Sequence, residues 1–196
     1  HADRTVTFGY IKKGLVLYPG ASCAGKVICR DIGFDPAAAD TIGLQYITYT
    51  KEDYKRLPKR YADSHKGTYG HVLVIAGSKN MAGAAYFSAL AAYRMGAGLV
   101  TLYTPESNRC ILQQLLPEAV LKTYPDTAPD LSALSDQLNN YQAIILGPGL
   151  GQNAASENIV RTVTASDIKI PLIIDADGLN ILSKNMEWLS KSTIPT

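Results

Sequence analysis

The chain has 196 residues, of which 46% are hydrophobic and 18% charged, with 19 Lys and Arg against 17 Asp and Glu for a net charge of +2. That is the composition of an ordinary globular protein, long enough for a real core in one domain or parts of two. The near-neutral charge gives no pull toward nucleic acid or an anionic membrane surface, no apolar run approaches the roughly 20 residues of a membrane span, and nothing resembles a signal peptide.

The three cysteines, Cys23, Cys29 and Cys110, lack zinc-type spacing and are odd in number, which points to reduced thiols in a cytoplasmic setting. The first residue is His1 rather than a methionine, so the expectation is a piece of a longer chain. His65 and His71 flank a glycine-containing loop and read as surface or packing residues rather than ligands.

In chain order, Thr5 to Phe8 alternates as a strand does, Leu15 to Tyr18 follows a Lys-Lys-Gly turn as a second short strand, and Lys26 to Cys29 forms a third. Asp31 ends that stretch, where a turn-capping role competes with a functional one. Asp35 to Asp40, with Pro36 and an alanine run, closes one unit, and a domain boundary is expected near Thr41 to Tyr46, dividing the chain into 1–43 and 44–196. Gln45 to Thr50 reads as a short β run. The cluster Lys55, Arg56, Lys59 and Arg60 could draw an anion, but beside Asp53 and Asp63 it also fits a solvated helix face. The polar loop Ser64 to Gly70 brings Lys66 and free backbone donors just before the next strand, within expected reach of a phosphate.

The stretch His71 to Gly98 organises the rest. Val72 to Ala76 is too short for a helix and rich in branched side chains, as a parallel strand buried on both faces is. The loop from Gly77 enters a helix near Gly83, on which Ala85, Ala89, Ala92 and Gly96 make a stripe with little bulk, and Tyr86, Leu90 and Tyr93 a bulky one. The bare stripe implies that something approaches closely; the bulky one is assigned to core packing. A helix start beside a strand end is common scaffold, yet its backbone N–H groups and positive end also suit a phosphate. Leu99 to Tyr103 is the next strand, Glu106 to Leu116 a helix, Glu118 to Lys122 a short strand and Asp130 to Leu138 a weaker helix.

Ala143 to Leu146 is another buried strand, running into Gly147-Pro-Gly149-Leu-Gly151 and then a helix from Ala154 to Thr164. The dinucleotide fingerprint needs its third glycine one residue later and an acid closing the following strand. Here Asp167 precedes that strand, so a Rossmann reading is disfavoured. Pro171 to Ile174 is the last strand and delivers Asp175-Ala-Asp177-Gly-Leu-Asn180 to the same sheet edge. Two carboxylates there suit magnesium-phosphate work, although Asp177 could equally cap the helix starting at Gly178. The missing spaced oxygen ligands exclude a calcium loop.

Three segments, HKGTYGHVLVIAGSKNMAGAAYFSALAAYRMGAGLVTLYTP, GPGLG and IIDADGLN, in this order and separation, resemble the ADP/ATP-dependent NAD(P)H-hydrate dehydratases. That resemblance implies a ribokinase-like α/β fold, a mostly parallel sheet with helices on both faces, incomplete here. Upstream, VTFGYIKKGLVLYPG and the strand ending DIGF resemble the carboxyl-terminal end of an NAD(P)H-hydrate epimerase domain, a β-rich remnant of a Rossmann-like unit.

The reaction so implied is a metabolite repair. ADP or ATP, with Mg2+, phosphorylates the hydroxyl of NAD(P)H hydrate, and loss of phosphate restores the reduced cofactor. By the same resemblance Gly83, Ala84 and Gly149 lie against the substrate, with Asp175 and Asn180 lining the cleft; Lys66, Gly147 and Gly151 are expected on the nucleotide phosphates. No metal ligand is assigned. The family's His-Pro-Gly-Glu segment, its Gly-x-Gly-Asp catalytic motif and the epimerase's catalytic and potassium-binding residues have no match between His1 and Thr196, so this piece alone is expected to lack both activities. A homo-oligomer packed through the small-residue helix face is also expected, with no nucleic-acid or membrane partner. A ribokinase-type small-molecule kinase and a nucleotide-binding module without chemistry are the alternatives.

Overall fold

The computed structural model describes residues 1–35, 37, 41, 46–57, 59–126 and 128–190. The chain divides into two compact units, His1–Arg60 and Tyr61–Thr196. The boundary expected near Thr41 to Tyr46 falls largely on residues 42–45, outside the described residues.

In the first unit, strands β1 (Arg4–Phe8) and β2 (Lys26–Arg30) pair in parallel, Arg4 opposite Lys26. Between them lie a 3-10 turn, Lys13–Leu15, and the short helix α1, Ala21–Ala24. Leu15 to Tyr18 is therefore not a strand. Its β-prone side chains sit between Gly14 and Pro19, and the 3-10 turn takes up the start of the segment, with Val16 N–H donating to the Lys13 carbonyl. Residues 46–50 likewise form no strand, and Lys51–Arg56 is a 3-10 helix capped by Thr50 and Asp53. Asp31 does cap a turn, accepting from the Gly33 N–H at 2.8 Å.

The second unit is a five-stranded sheet in the order β5-β4-β3-β6-β7, formed by β3 (His71–Ile75), β4 (Leu99–Pro105), β5 (Val120–Tyr124), β6 (Ala143–Leu146) and β7 (Leu172–Ile174). Every neighbouring pair is parallel, which requires a crossover after each strand and covers both faces. Helices α2 (Ala82–Arg94) and α3 (Arg109–Leu115) bury Val74, Ala76, Val100 and Leu102 on one face. On the other, α4 (Leu131–Ser135) and α5 (Ala154–Ala165) cover Leu73, Ile75, Ile144 and Leu146, with α6 (Asp177–Ser183) contributing Ile181 and Leu182. The two-residue alternation along β3 thus feeds two separate cores.

The bare stripe on α2 finds its partner inside this unit. Ala85 and Ala89 are fully buried in the same cluster as Val74 and Val100, so what comes close is the sheet itself. A substrate or a second subunit is not needed to explain it. Tyr86, Leu90 and Tyr93 flank that core, half-buried. The helix ends in a Schellman motif: Gly96 at φ 109° donates to the Tyr93 carbonyl and Ala97 to that of Ala92.

Candidate active site

The carboxyl ends of β3, β6 and β7 are stitched together by backbone hydrogen bonds between their loops. Gly147 N–H donates to Ile75 O at 3.0 Å, Gly77 N–H to Pro148 O at 2.9 Å, and Asp175 N–H to Leu146 O at 3.0 Å. Glycines permit this closeness. A Cβ on Gly147 would run into the Asp175 carbonyl and stand 2.5 Å from the Gly178 nitrogen, while one on Gly149 would stand 2.5 Å from the Ala84 Cβ. Both residues also hold positive φ, 116° and 63°, which side-chain-bearing residues adopt only at a cost. What presses on the glycine loop from these sides is therefore protein: the start of α2 on one flank and the β7 loop on the other.

The expected site residues fall into place along this rim. Ala84, half-buried on the first turn of α2, touches Gly149, and Gly83 beside it is exposed with open space where a side chain would be. Gly147 lies against Asp175, whose exposed carboxylate makes no hydrogen bond or ion pair among the described residues. Gly151 and Asn180 are joined through a residue between them in space, Asp177. Its Oδ2 accepts from the Gly151 N–H at 2.9 Å, and its Oδ1 accepts from Gln152 Nε2 at 3.2 Å and from Asn180 Nδ2 at 3.4 Å.

Asp177 does not cap α6; it is the first residue of that helix, Ala176 is the N-cap, and no side chain serves the cap. Its carboxylate is spent across the rim, holding the end of the glycine loop. Ala176 itself sits at φ 49°, ψ −117°, a conformation that costs a non-glycine residue about 1–3 kcal/mol. On either side of it, Asp175 is exposed to solvent and Asp177 accepts from Gly151.

Lys66 is the exception. It begins the 3-10 turn Lys66–Tyr69 ahead of β3, and its carbonyl packs against Gly98 at the start of β4. Residues preceding a parallel strand lie at the amino edge of the sheet, so Lys66 is a strand's length from the glycine loops and outside their cradle. His65 and His71 share that amino edge. His65 Nδ1 accepts from the Gly67 N–H at 3.1 Å, and His71 packs edge-on against Tyr141 with its Nε2 2.8 Å from Thr101 Oγ1. Burial, then the charge of Lys122, lowers the His71 pKa.

Among the described residues no group of three or more His, Cys, Asp or Glu side chains could hold a metal ion, and no helix is long and apolar enough to cross a membrane. The three cysteines are free and exposed. Beside the rim, a cavity of about 190 Å³ opens between the ends of β4 and β5, the loop after β3 and the start of α5. Sequence periodicity did not single out its Lys79, Tyr124 and Asp126, because Tyr124 and Asp126 sit where an edge strand ends and Lys79 sits in a turn, and neither place has a repeating pattern.

Residues 72–196 match the family model for NAD(P)H-hydrate dehydratase. The bifunctional NAD(P)H-hydrate repair enzyme Nnr of Moorella thermoacetica is 34% identical over 96% of this chain and 37% of its own length. The ADP-dependent (S)-NAD(P)H-hydrate dehydratase of Listeria monocytogenes is 40% identical over 65% of the chain and 45% of its own length. The chain thus spans less than half of either relative. Among solved structures, a ribokinase-like superfamily protein from Enterococcus faecalis superposes at a TM-score of 0.63, with 30% identity over 70% of this chain and 48% of that one. The ADP/ATP-dependent NAD(P)H-hydrate dehydratase from Bacillus subtilis, co-crystallized with ATP/Mg2+, does so at 0.55, with 39% identity over 66% and 46%. The second unit therefore has the ribokinase-like α/β fold.

Proposed function

The chain belongs to the NAD(P)H-hydrate dehydratase family, and on that premise we propose that its glycine-rich rim binds (S)-NAD(P)H hydrate for nucleotide-dependent dehydration in the longer protein. The observation that carries this reading is the contact of Gly149 with Ala84 on one side and of Gly147 with Asp175 on the other. It gathers three loops that are far apart in sequence into one surface at the carboxyl edge of a parallel sheet, where open α/β sheets take their ligands.

The hydroxyl of the hydrate is a poor leaving group. Transfer of a phosphoryl group from ADP or ATP makes it a phosphate ester, and loss of phosphate with a neighbouring ring proton restores the reduced pyridine ring. The residues of this chain bind and orient. Gly83 leaves the first turn of α2 open to the substrate, Ala84 and Gly149 set the floor, and Asp177 fixes the Gly151 end of the loop so that its backbone amides stay in register. The exposed carboxylate of Asp175 would offer Mg2+ one hard oxygen donor; with Asn180 it would hold the metal-bound phosphates, whose charge Mg2+ would neutralise.

The same reading assigns residues 1–43 to the end of an epimerase-like domain that uses K+, in a cytoplasmic repair enzyme that assembles from copies of itself. Calorimetric titration of the chain with (S)-NADH hydrate and with NADH tests the binding claim. The hydrate is expected to bind, and to bind at least tenfold more weakly to Asp175→Asn in the presence of ADP and Mg2+. For the longer protein, free phosphate and NADH should appear one for one. A stable phosphorylated product would make it a small-molecule kinase, and binding without turnover a nucleotide-binding module.

A further inference from the structure

The core that α2 and α3 form with the sheet is built from buried Val, Leu and Ala side chains such as Val74, Ala85 and Leu102. Beside it two polar residues are equally buried: Thr104, which continues the Val100 and Leu102 face of β4, is 0% exposed, and Asn108, just ahead of α3, is 1% exposed. Asn108 Nδ2 donates to Thr104 Oγ1 at 3.0 Å and, from 30 residues further along the chain, to the Ser78 carbonyl at 3.2 Å. A carbonyl can only accept, so the amide nitrogen must face it and the orientation of the side chain is fixed.

The pair backs the loop that follows β3. A Cβ on Gly77 would stand 3.1 Å from each of Ala85 Cβ, Asn108 Nδ2 and Thr104 Oγ1, so the loop lies directly on it. Gly77 N–H in turn donates to Pro148 O at 2.9 Å, next to Gly149. The Ser78 carbonyl also accepts from the Met81 N–H at 2.8 Å, closing the turn that brings Met81 and Ala84 against Gly149, where a Cβ would stand 3.5 Å and 2.5 Å from theirs. Because Met81 already serves it, that carbonyl would not be orphaned without Asn108. Exchanging both members of a buried hydrogen-bonded pair for apolar groups of the same shape can be nearly neutral for stability. Valine and leucine could therefore fill the places of Thr104 and Asn108, but they could not hold Ser78.

We infer that Asn108 is a positioning residue for the glycine rim. Buried as it is, it touches no substrate; it sets Gly149 by two routes, through Gly77 to Pro148 and through Ser78 to the turn that delivers Met81 and Ala84. The inference rests on the function proposed above, in which this rim takes the hydrate.

The test compares the native chain with two variants by thermal melting, by amide NMR without ligand, and by calorimetric titration with (S)-NADH hydrate. When Thr104→Val is combined with Asn108→Leu, the unfolding midpoint should stay close to the native one, while the Gly77 and Gly149 amide signals shift and the hydrate binds about tenfold or more weakly, as when a distant change misplaces a bound group. In Asn108→Asp the carboxylate can still accept from the Thr104 hydroxyl but repels the Ser78 carbonyl, so the same signals should move and the affinity should fall likewise. A merely structural Asn108 would lower the midpoint and leave the affinity of the folded chain native. A native Gly149 signal with native affinity in either folded variant overturns the inference. In the native chain the Asn108 side-chain amide protons should exchange slowly with solvent, and rapid exchange overturns it without any substitution. If the native chain binds no hydrate, the reading of the rim fails, and the ligand-free Gly149 signal alone decides whether Asn108 positions the loop.

Discussion

Gly149 and Ala84 meet so closely that a methyl group added to the glycine would stand 2.5 Å from the alanine Cβ, and the glycine also holds φ 63°. Gly149→Ala therefore meets two penalties. The left-handed backbone costs about 1 kcal/mol, and the forced contact about 1–3 kcal/mol more. The variant should unfold several degrees lower in a thermal melt. Pairing it with Ala84→Gly should recover the contact part and leave the backbone part, so the double variant is expected to lie between the two.

Asp177 holds the end of the glycine loop from the first turn of α6. Removing its carboxylate leaves the Gly151 N–H without its acceptor, a loss of about 1.5–3 kcal/mol for a charge-assisted bond. In Asp177→Ala the Gly151 amide should exchange with solvent at least tenfold faster, while amides in the core of β3 keep their protection. Unchanged exchange at Gly151 would show that the loop is held by its backbone contacts alone.

Ala176 supplies a prediction of the opposite sign. Its φ of 49° with ψ −117° is open to glycine at little cost, and the relief outweighs the extra chain entropy glycine brings to the unfolded state. Ala176→Gly should therefore raise the midpoint of thermal unfolding, by about 1 kcal/mol of stability. A lower midpoint would mean that the segment between Asp175 and Asp177 is not strained.

His71 sets a pH dependence. Its pKa is lowered from the ordinary 6.5, by burial and then by Lys122, so just below that pH the unfolded chain binds a proton that the folded chain refuses. Stability should therefore fall as pH drops from 6.5 toward the lowered value and stop falling through this group below it. Urea titrations between pH 7 and 5 should show that slope in the native chain and a shallower one in His71→Gln. Equal slopes would remove His71 as the cause.

The main sheet was legible because a parallel strand buried on both faces leaves a short continuous apolar run. Val72 to Ala76 and Ala143 to Leu146 are such runs, each followed by glycine, and the strands found are His71–Ile75 and Ala143–Leu146. Where a strand is at the edge the signal weakens. β5 has only Tyr124 buried and lies two residues later than its hydrophobicity suggests. The carboxyl-edge loops could be assigned to one rim from strand order alone, and by the same logic Lys66, which precedes β3, belongs to the other edge. Long-range side-chain ties were invisible: nothing local marks Asp177 as the partner of Gly151, and a stripe of alanines reads the same whether a ligand or, as for Ala85 and Ala89, the chain's own sheet lies against it.

The central claim is that one substrate spans the loops gathered by Gly149. Mapping amide shifts of the chain on addition of (S)-NADH hydrate tests it most directly. The account predicts that Gly83, Ala84, Gly149 and Asp175 move together, with Lys66 and His71 at the far edge of the sheet unaffected. Shifts confined to the Lys66 edge, or none at Gly149, would contradict it.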